Sequence, residues 1–406
     1  MSFRDYFKVV EGGNKWLQVQ FVPEIGGRIM QISLDSYSFL FNNPSNIIAE
    51  NYSDKAAEGQ WINYGGEKLW PAPQGWGNKT LWPGPPDVVL DGGIFTLEKN
   101  GNEFYLESEI DTYTGLQVSR TVAINDRSTI IQVDCVFENK SEEVKQWAIW
   151  PVAQLHAENF EDKSYELVLP LAEKSTYPAG FQVMHGLVNN PQIRIENKHL
   201  KLNFQYLIGK IAADSDQGWV AYLNKENGKI YVNFFETELG QSYPYHSTVQ
   251  IWTQGRGMIY SRNTIKEFPN DTNQNPPYLE IELLSPLKPI QPRQKATFSY
   301  QIGVSTIALG DAIQQINKDK ITCLPLTVSS KEGFLIVTAS YGFFEEKTME
   351  LNIEETRNSK KHYREQFKAD PNNPLKIDLK IDIGALELSD LSVTLTETKE
   401  SNKKAD

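Results

Sequence analysis

Residues 130–137 alternate strictly: Ile131, Val133, Cys135 and Phe137 fall on one side, Gln132, Asp134 and Val136 on the other. A period of two puts successive side chains on opposite faces of a β-strand. Residues 115–124 alternate in the same way, and Asn125-Asp126-Arg127 between the two runs predicts a turn joining an antiparallel pair. Residues 17–21, 28–34, 104–110, 219–223, 229–235, 248–253 and 278–284 repeat the pattern, separated by turn-rich stretches. So many strands with almost no helical period predict an all-β domain over residues 1–304, a large sandwich of antiparallel sheets.

The pattern then changes. Leu309, Ala312, Ile313 and Ile316 recur at helical spacing, which predicts a short helix within a linker at 305–321. Period two returns at 333–341, 346–353, 375–383 and 391–396, most strictly in Leu375, Ile377, Leu379, Ile381 and Ile383. Residues 322–398 therefore predict a small immunoglobulin-like β-sandwich, and 399–406 a polar tail. All nine tryptophans precede Thr253, so the two parts differ in composition as well as position.

Residues 61–93 read WINYGGEKLWPAPQGWGNKTLWPGPPDVVLDGG. Proline fixes φ and removes a backbone donor, so Pro71, Pro73, Pro83, Pro85 and Pro86 predict an ordered surface loop rather than a central strand. Trp61, Trp70, Trp76 and Trp82 punctuate it. A pyranose has an apolar C–H face and a rim of hydroxyls, which suits an indole flanked by hydrogen-bonding groups. Covering about 100 Å² of indole contributes roughly 2 to 3 kcal/mol. Asn63, Glu67, Lys68 and Gln74 could supply directional contacts, and Arg28 a further one, although a structural ion pair explains Arg28 equally well.

Composition narrows the function. A net charge of -12 argues against nucleic acid and anionic membrane partners, which require clustered Lys and Arg. No apolar run approaches the ~20 residues of a spanning helix, and the first residues do not read as a signal peptide. Two distant cysteines, Cys135 and Cys323, fit a reducing compartment, so the expected address is the cytoplasm. Phosphate-loop, dinucleotide and metalloprotease motifs are absent, and neither a cofactor nor a metal site is expected. Asp87 with Asp91, and Asp214 with Asp216, read as turn caps.

In order, the chain carries Gly26-Gly27-Arg28-Ile29, GGEKLWPAP at 65–73, FENKSEEVKQWAIWPVAQL at 137–155, TVQIWTQGR at 248–256 and YLEIELLSP at 278–286. This set resembles the aldose 1-epimerase, or galactose mutarotase-like, superfamily over residues 15–303, and is most similar to a branch of uncharacterised function. The resemblance implies a supersandwich fold and acid–base chemistry at the anomeric centre of a sugar, without cofactor. It implies Glu280 as the base, with Glu282 on the same strand face; two such carboxylates raise each other's pKa from about 4.3. The family's histidine acid has no counterpart, since Trp150 stands in its region, leaving His156 and His246 as candidates. Trp70, Trp76, Trp82, Trp150, Trp252, Lys68, Glu67 and Arg28 are the expected binding groups. A carbohydrate-binding protein without turnover is the alternative, and the C-terminal sandwich is a candidate surface for a protein partner or a homo-dimer.

Overall fold

The computed structural model describes residues 3–43, 51–238 and 240–398. The alternating runs are strands: in Ile130–Asn139 buried and half-buried residues alternate without a break. Nine strands carry the first sheet: β1 (Val10–Gly13), β2 (Leu17–Val22), β3 (Arg28–Leu34), β4 (Glu67–Ala72), β5 (Lys145–His156), β6 (Phe181–Gly186), β7 (Gly209–Ala213), β8 (Val249–Gln254) and β9 (Tyr278–Leu283). Their spatial order is β1-β2-β3-β4-β5-β9-β8-β7-β6, with short strands Tyr37–Ser38 and Lys288–Ile290 added beside β3 and β5. Neighbours along this path pair antiparallel.

A second, ten-stranded sheet includes Leu116–Ile124, Ile130–Asn139, Tyr165–Pro170, Trp219–Asn224 and Lys295–Thr306. Side chains from the two sheets meet between them: Phe21 of β2 stacks on Phe104 at 4.4 Å. Glu67 of β4 meets Arg120 and the Tyr300 hydroxyl, each at 2.5 Å. Burying such large aromatic and aliphatic faces is the main stabilising term of a sandwich. The chain is all-β, as the alternation predicts. Among the described residues the α-helix is confined to Tyr52–Ala57, and no helix is long and apolar enough to cross a membrane.

The chain forms two compact units. One comprises the described residues of Met1–Asp126, Ile130–Asn224 and Tyr231–Ile302; the other those of Arg127–Thr129, Lys225–Ile230 and Gly303–Asp406. The second holds a four-stranded sheet (Gln315–Ile316, Lys320–Lys331, Phe334–Phe343, Leu375–Asp382) and a three-stranded one (Lys347–Glu355, Lys361–Ala369, Leu391–Glu397). Leu335, Val337 and Ile377 of the first pack in one core with Leu351 and Ile353 of the second. The tail at 399–406 lies outside the described residues.

Two expectations are corrected. Residues 305–321 contain no helix. Gln314 and Asn317 instead donate their amides to Thr322 and Lys320, and Gly310 takes a φ of +83°, outside the right-handed helical region. Ile313 and Ile316 are buried while Leu309 is exposed, so the helical spacing reflects separate contacts and no helix face. The second correction concerns Pro71, which lies inside β4, between β3 and β5. Opposite it, Ile149 turns its amide and carbonyl away from β4, onto Ser285. Pro71 thus holds a non-hydrogen-bonded position toward β5, and its nitrogen points to the β3 side, where pairing ends at Ile29 and Glu67. No ladder bond is lost, so the usual exclusion does not apply.

Candidate active site

Directly paired residues of neighbouring strands share a face, and so do i and i+2 on one strand. Pairing across β5, β9, β8, β7 and β6 therefore lays Gln154, Glu280, Trp252, Lys210 and His185 in one row. A parallel row holds Lys68, Val152, Glu282 and Gln250, and Trp70 pairs directly with Trp150. Two segments far apart in sequence, one rich in indoles and one bearing paired acids, thus meet on one sheet face. Above it lies a cleft of about 570 Å³, bordered by Trp61, Trp70, Trp76, Trp150, Trp252 and Glu280. Its opposite wall is the hairpin Gly257–Ser261 and Thr264–Phe268.

The two glutamates have separate surroundings. Glu280 Oε1 accepts from Gln154 Nε2 at 2.7 Å and from the Lys68 ammonium at 3.4 Å. Oε2 receives no hydrogen bond among the described residues. Lys68 Nζ lies 4.5 Å from the Trp70 ring centre and 5.4 Å from that of Trp61, a cation–π seat. Its side chain is 1% exposed, and burial lowers its pKa to about 8 although the Glu280 charge opposes the shift. Glu282 is fully buried beneath the cleft. Its Oε2 accepts from Lys210 at 2.9 Å and Trp150 Nε1 at 3.0 Å, while Oε1 has no donor. Burial raises its pKa, more than the Lys210 charge lowers it.

The indoles are held from behind by carboxylates. Buried Asp91 accepts from Trp61 Nε1 at 2.8 Å, Trp70 Nε1 at 3.2 Å, the Tyr52 hydroxyl, and Arg28 at 2.5 Å. Asp87 caps the amides of Val89 and Leu90 and accepts from Trp82 Nε1 at 2.8 Å. Both aspartates, read from sequence as turn caps, thus fix ring orientations as well.

Several expected binding groups do not reach the cleft. Arg28 is fully buried against Asp91 and the Gly65 carbonyl. Glu67 points between the sheets because it alternates with Lys68 along β4. Trp82 is fully buried, its ring centre 5.2 Å from that of Trp70. Trp70 offers only an edge, being 5% exposed with Trp82, Trp150 and Lys68 over it. Trp76 is exposed on the rim, donating to the Pro83 carbonyl. Neither expected histidine borders this cleft. The His156 ring lies 5.7 Å from that of Tyr165, and His246 lines a separate cavity of about 400 Å³ with Asp214 and Asp216.

His185, not among the candidates from sequence, is the histidine at the cleft. Burial, then the Lys210 charge, lowers its pKa, so it is largely neutral at pH 7. Gln154 and Lys210 also escaped the sequence reading. Gln154 carried a usable signal, since it sits four residues after Trp150 on one strand and so shares its face. Lys210 and His185 carried none, because their placement depends on long-range strand order. Among the described residues no three His, Cys, Asp or Glu side chains converge as a metal-ligating set.

The fold is similar to that of galactose mutarotase-like proteins of known structure. One from Lactobacillus casei ATCC 334 shares 10% identity, covers 73% of this chain and 100% of its own, and gives a TM-score of 0.47. A galactose mutarotase related enzyme from Lactobacillus acidophilus shares 9%, covering 76% and 100%, with a TM-score of 0.45. A galactose mutarotase-like protein from Clostridium acetobutylicum shares 10%, covering 75% and 97%, with a TM-score of 0.43. No curated protein matches the sequence. A family described as a domain of unknown function, DUF4380, matches residues 8–297, and the chain belongs to that family.

Proposed function

We propose that the cleft binds a sugar and that Glu280 accepts the proton of its anomeric hydroxyl, as in an aldose 1-epimerase-like isomerase. The observation that carries this reading is the row of Gln154, Glu280, Trp252, Lys210 and His185 beneath a cleft of about 570 Å³ edged by indoles. A cleft of that size holds one or two sugar rings, with apolar walls for the ring faces and few convergent polar groups. Glu280 keeps one oxygen without a protein donor, which is what a base needs. The hydroxyl oxygen and the ring oxygen of a pyranose are bonded to the same carbon, so an acid beside the base can serve the second. Lys68, whose proton is held less tightly than an ordinary lysine's, stands beside Glu280. Proton transfer to the ring oxygen opens the ring, and reclosure on either face exchanges the anomers.

A second reading, sugar binding without turnover, is favoured by the 1% exposure of Lys68 and by the absence of His156 and His246 from the cleft. Polarimetry of freshly dissolved aldoses, with Glu280→Gln as control, separates the two. A positioned base contributes roughly 10² to 10⁴-fold, so Glu280→Gln should lower catalysed mutarotation by that factor and leave binding measurable. Undiminished turnover in that variant rejects Glu280 as base. Binding without turnover in the wild type selects the second reading, and no binding of any aldose rejects both.

A further inference from the structure

The proposed sugar cleft has an unusual charge. The chain carries 52 acidic and 40 basic residues, yet the cleft is bordered by Lys210, Arg262 and Lys266 against the single carboxylate of Glu280. Two of the charged pairs below it balance: Lys68 lies against Glu280 and Lys210 against Glu282. Arg262 and Lys266 remain, and among the described residues neither has a carboxylate within 4.0 Å.

Both sit on the hairpin wall. Register pairs Ile259 with Lys266, Ser261 with Thr264 and Gly257 with Phe268, so these side chains share the face toward the cleft. Met258, Tyr260 and Ile265 take the other face and are exposed. Arg262 and Asn263 form the two-residue tip, with φ of +52° and +58°, a left-handed pair that favours glycine or asparagine. An arginine there adopts a backbone conformation that its Cβ disfavours. The strained tip is also pinned. One Arg262 nitrogen donates to the Pro83 and Pro85 carbonyls at 3.2 and 3.1 Å, and the guanidinium lies 5.1 Å from the Trp76 ring centre. An arginine has five N–H donors, and those on the remaining two nitrogens have no protein acceptor among the described residues. Two like charges on one wall repel unless a counter-charge is bound, and a fixed guanidinium fork suits phosphate or carboxylate oxygens.

We propose that the sugar bound here carries an anionic group, a phosphate ester or a carboxylate, held by Arg262 and Lys266 at the hairpin side of the cleft. This rests on the sugar reading and names the substrate class for that site. Calorimetric titration of the full chain with hexoses of gluco, galacto and manno configuration, their 6-phosphates, the matching uronates and inorganic phosphate tests it. One anionic series should bind about tenfold or more tightly than its neutral parent, and added salt should weaken only the anionic ligand. The double variant Arg262→Gln/Lys266→Gln should bring the ratio of anionic to neutral affinity to within about twofold of one, and Arg262→Lys/Lys266→Arg should keep most of the advantage. Which series gains separates phosphate from carboxylate. Neutral and anionic sugars binding equally, or an advantage untouched by the Gln variant, overturns the anionic inference and leaves the sugar reading intact. Inorganic phosphate binding with no sugar of any series overturns the sugar reading instead.

Discussion

Asp91→Asn should destabilise the larger unit by about 3 to 5 kcal/mol, the range seen when one member of a buried ion pair is removed. The carboxylate and the Arg28 guanidinium are both fully buried, 2.5 Å apart. The asparagine carbonyl can replace one oxygen, the one shared by Arg28 and Trp70. Its amide, however, would then face the Tyr52 hydroxyl and Trp61 N–H, both donors to the second oxygen. The substitution leaves Arg28 without a counter-charge and sets two donors against a third. Urea denaturation followed by tryptophan emission is a clean assay, because every tryptophan lies within Met1–Asp126, Ile130–Asn224 or Tyr231–Ile302. The double variant Arg28→Met/Asp91→Asn removes the stranded charge and should recover more than 1 kcal/mol relative to additivity, within the usual range of about 0.5 to 3 for residues in contact. A loss below about 1 kcal/mol in the single variant would refute the claim that this ion pair is desolvated and essential to the indole cluster.

Lys68 yields a pH prediction. Its folded pKa of about 8 lies below the ordinary 10.5, so between those values the unfolded chain holds a proton that the folded chain has lost. Stability from this group therefore rises with pH across that window. The urea midpoint of Lys68→Met should exceed wild type by less at pH 10 than at pH 7; a difference that does not move with pH refutes the reading. Gly92→Ala would put a methyl 2.2 Å from the Tyr52 ring. It should cost about 1 to 3 kcal/mol by overpacking and shift tryptophan emission; an unchanged melting curve and spectrum count against close contact behind the cleft. Leu351→Ala, in the core of the smaller unit, should cost about 2 to 5 kcal/mol, read as a lowered transition in the backbone circular dichroism melt.

Much of the sandwich was legible because half-buried strands write their period into the sequence. Residues 130–137 and 375–383 could be nothing else, and both are strands. The errors came where a local rule met a tertiary exception. Pro71 fits a central strand only because Ile149 bonds to Ser285 and β3 stops pairing at Glu67, and neither fact is local. The apolar spacing at 309–316 imitates a helix because a hairpin buries Ile313 and Ile316 separately. At the cleft, Glu280 and Lys68 were found through motifs, whereas His185 and Lys210 depend on the spatial order β9-β8-β7-β6, which no stretch of sequence encodes by itself.

The site's polar groups follow one physical rule, and it explains which of them a ligand can use. A buried charge is tolerable only with a partner, so Arg28, Glu67, Asp91, Lys68 and Glu282 all occur in pairs. Their energy goes into holding the indoles still: Asp91 fixes Trp61 and Trp70, Glu282 fixes Trp150, and Asp87 fixes Trp82. Groups so committed cannot turn toward a ligand without leaving a partner stranded; Lys68 is the exception in the proposed reaction, since giving up its proton while Glu280 takes one leaves neither charge unpaired. What stays available is the remaining oxygen of Glu280, the more open rings of Trp61, Trp76 and Trp252, and the cationic hairpin wall. A ligand that engages this wall meets groups already oriented by the layer beneath, and binding then orders fewer side chains. Arg28 and Glu67, which looked like ligand contacts from the sequence, therefore act one layer away, by holding the strands and rings that a ligand would meet.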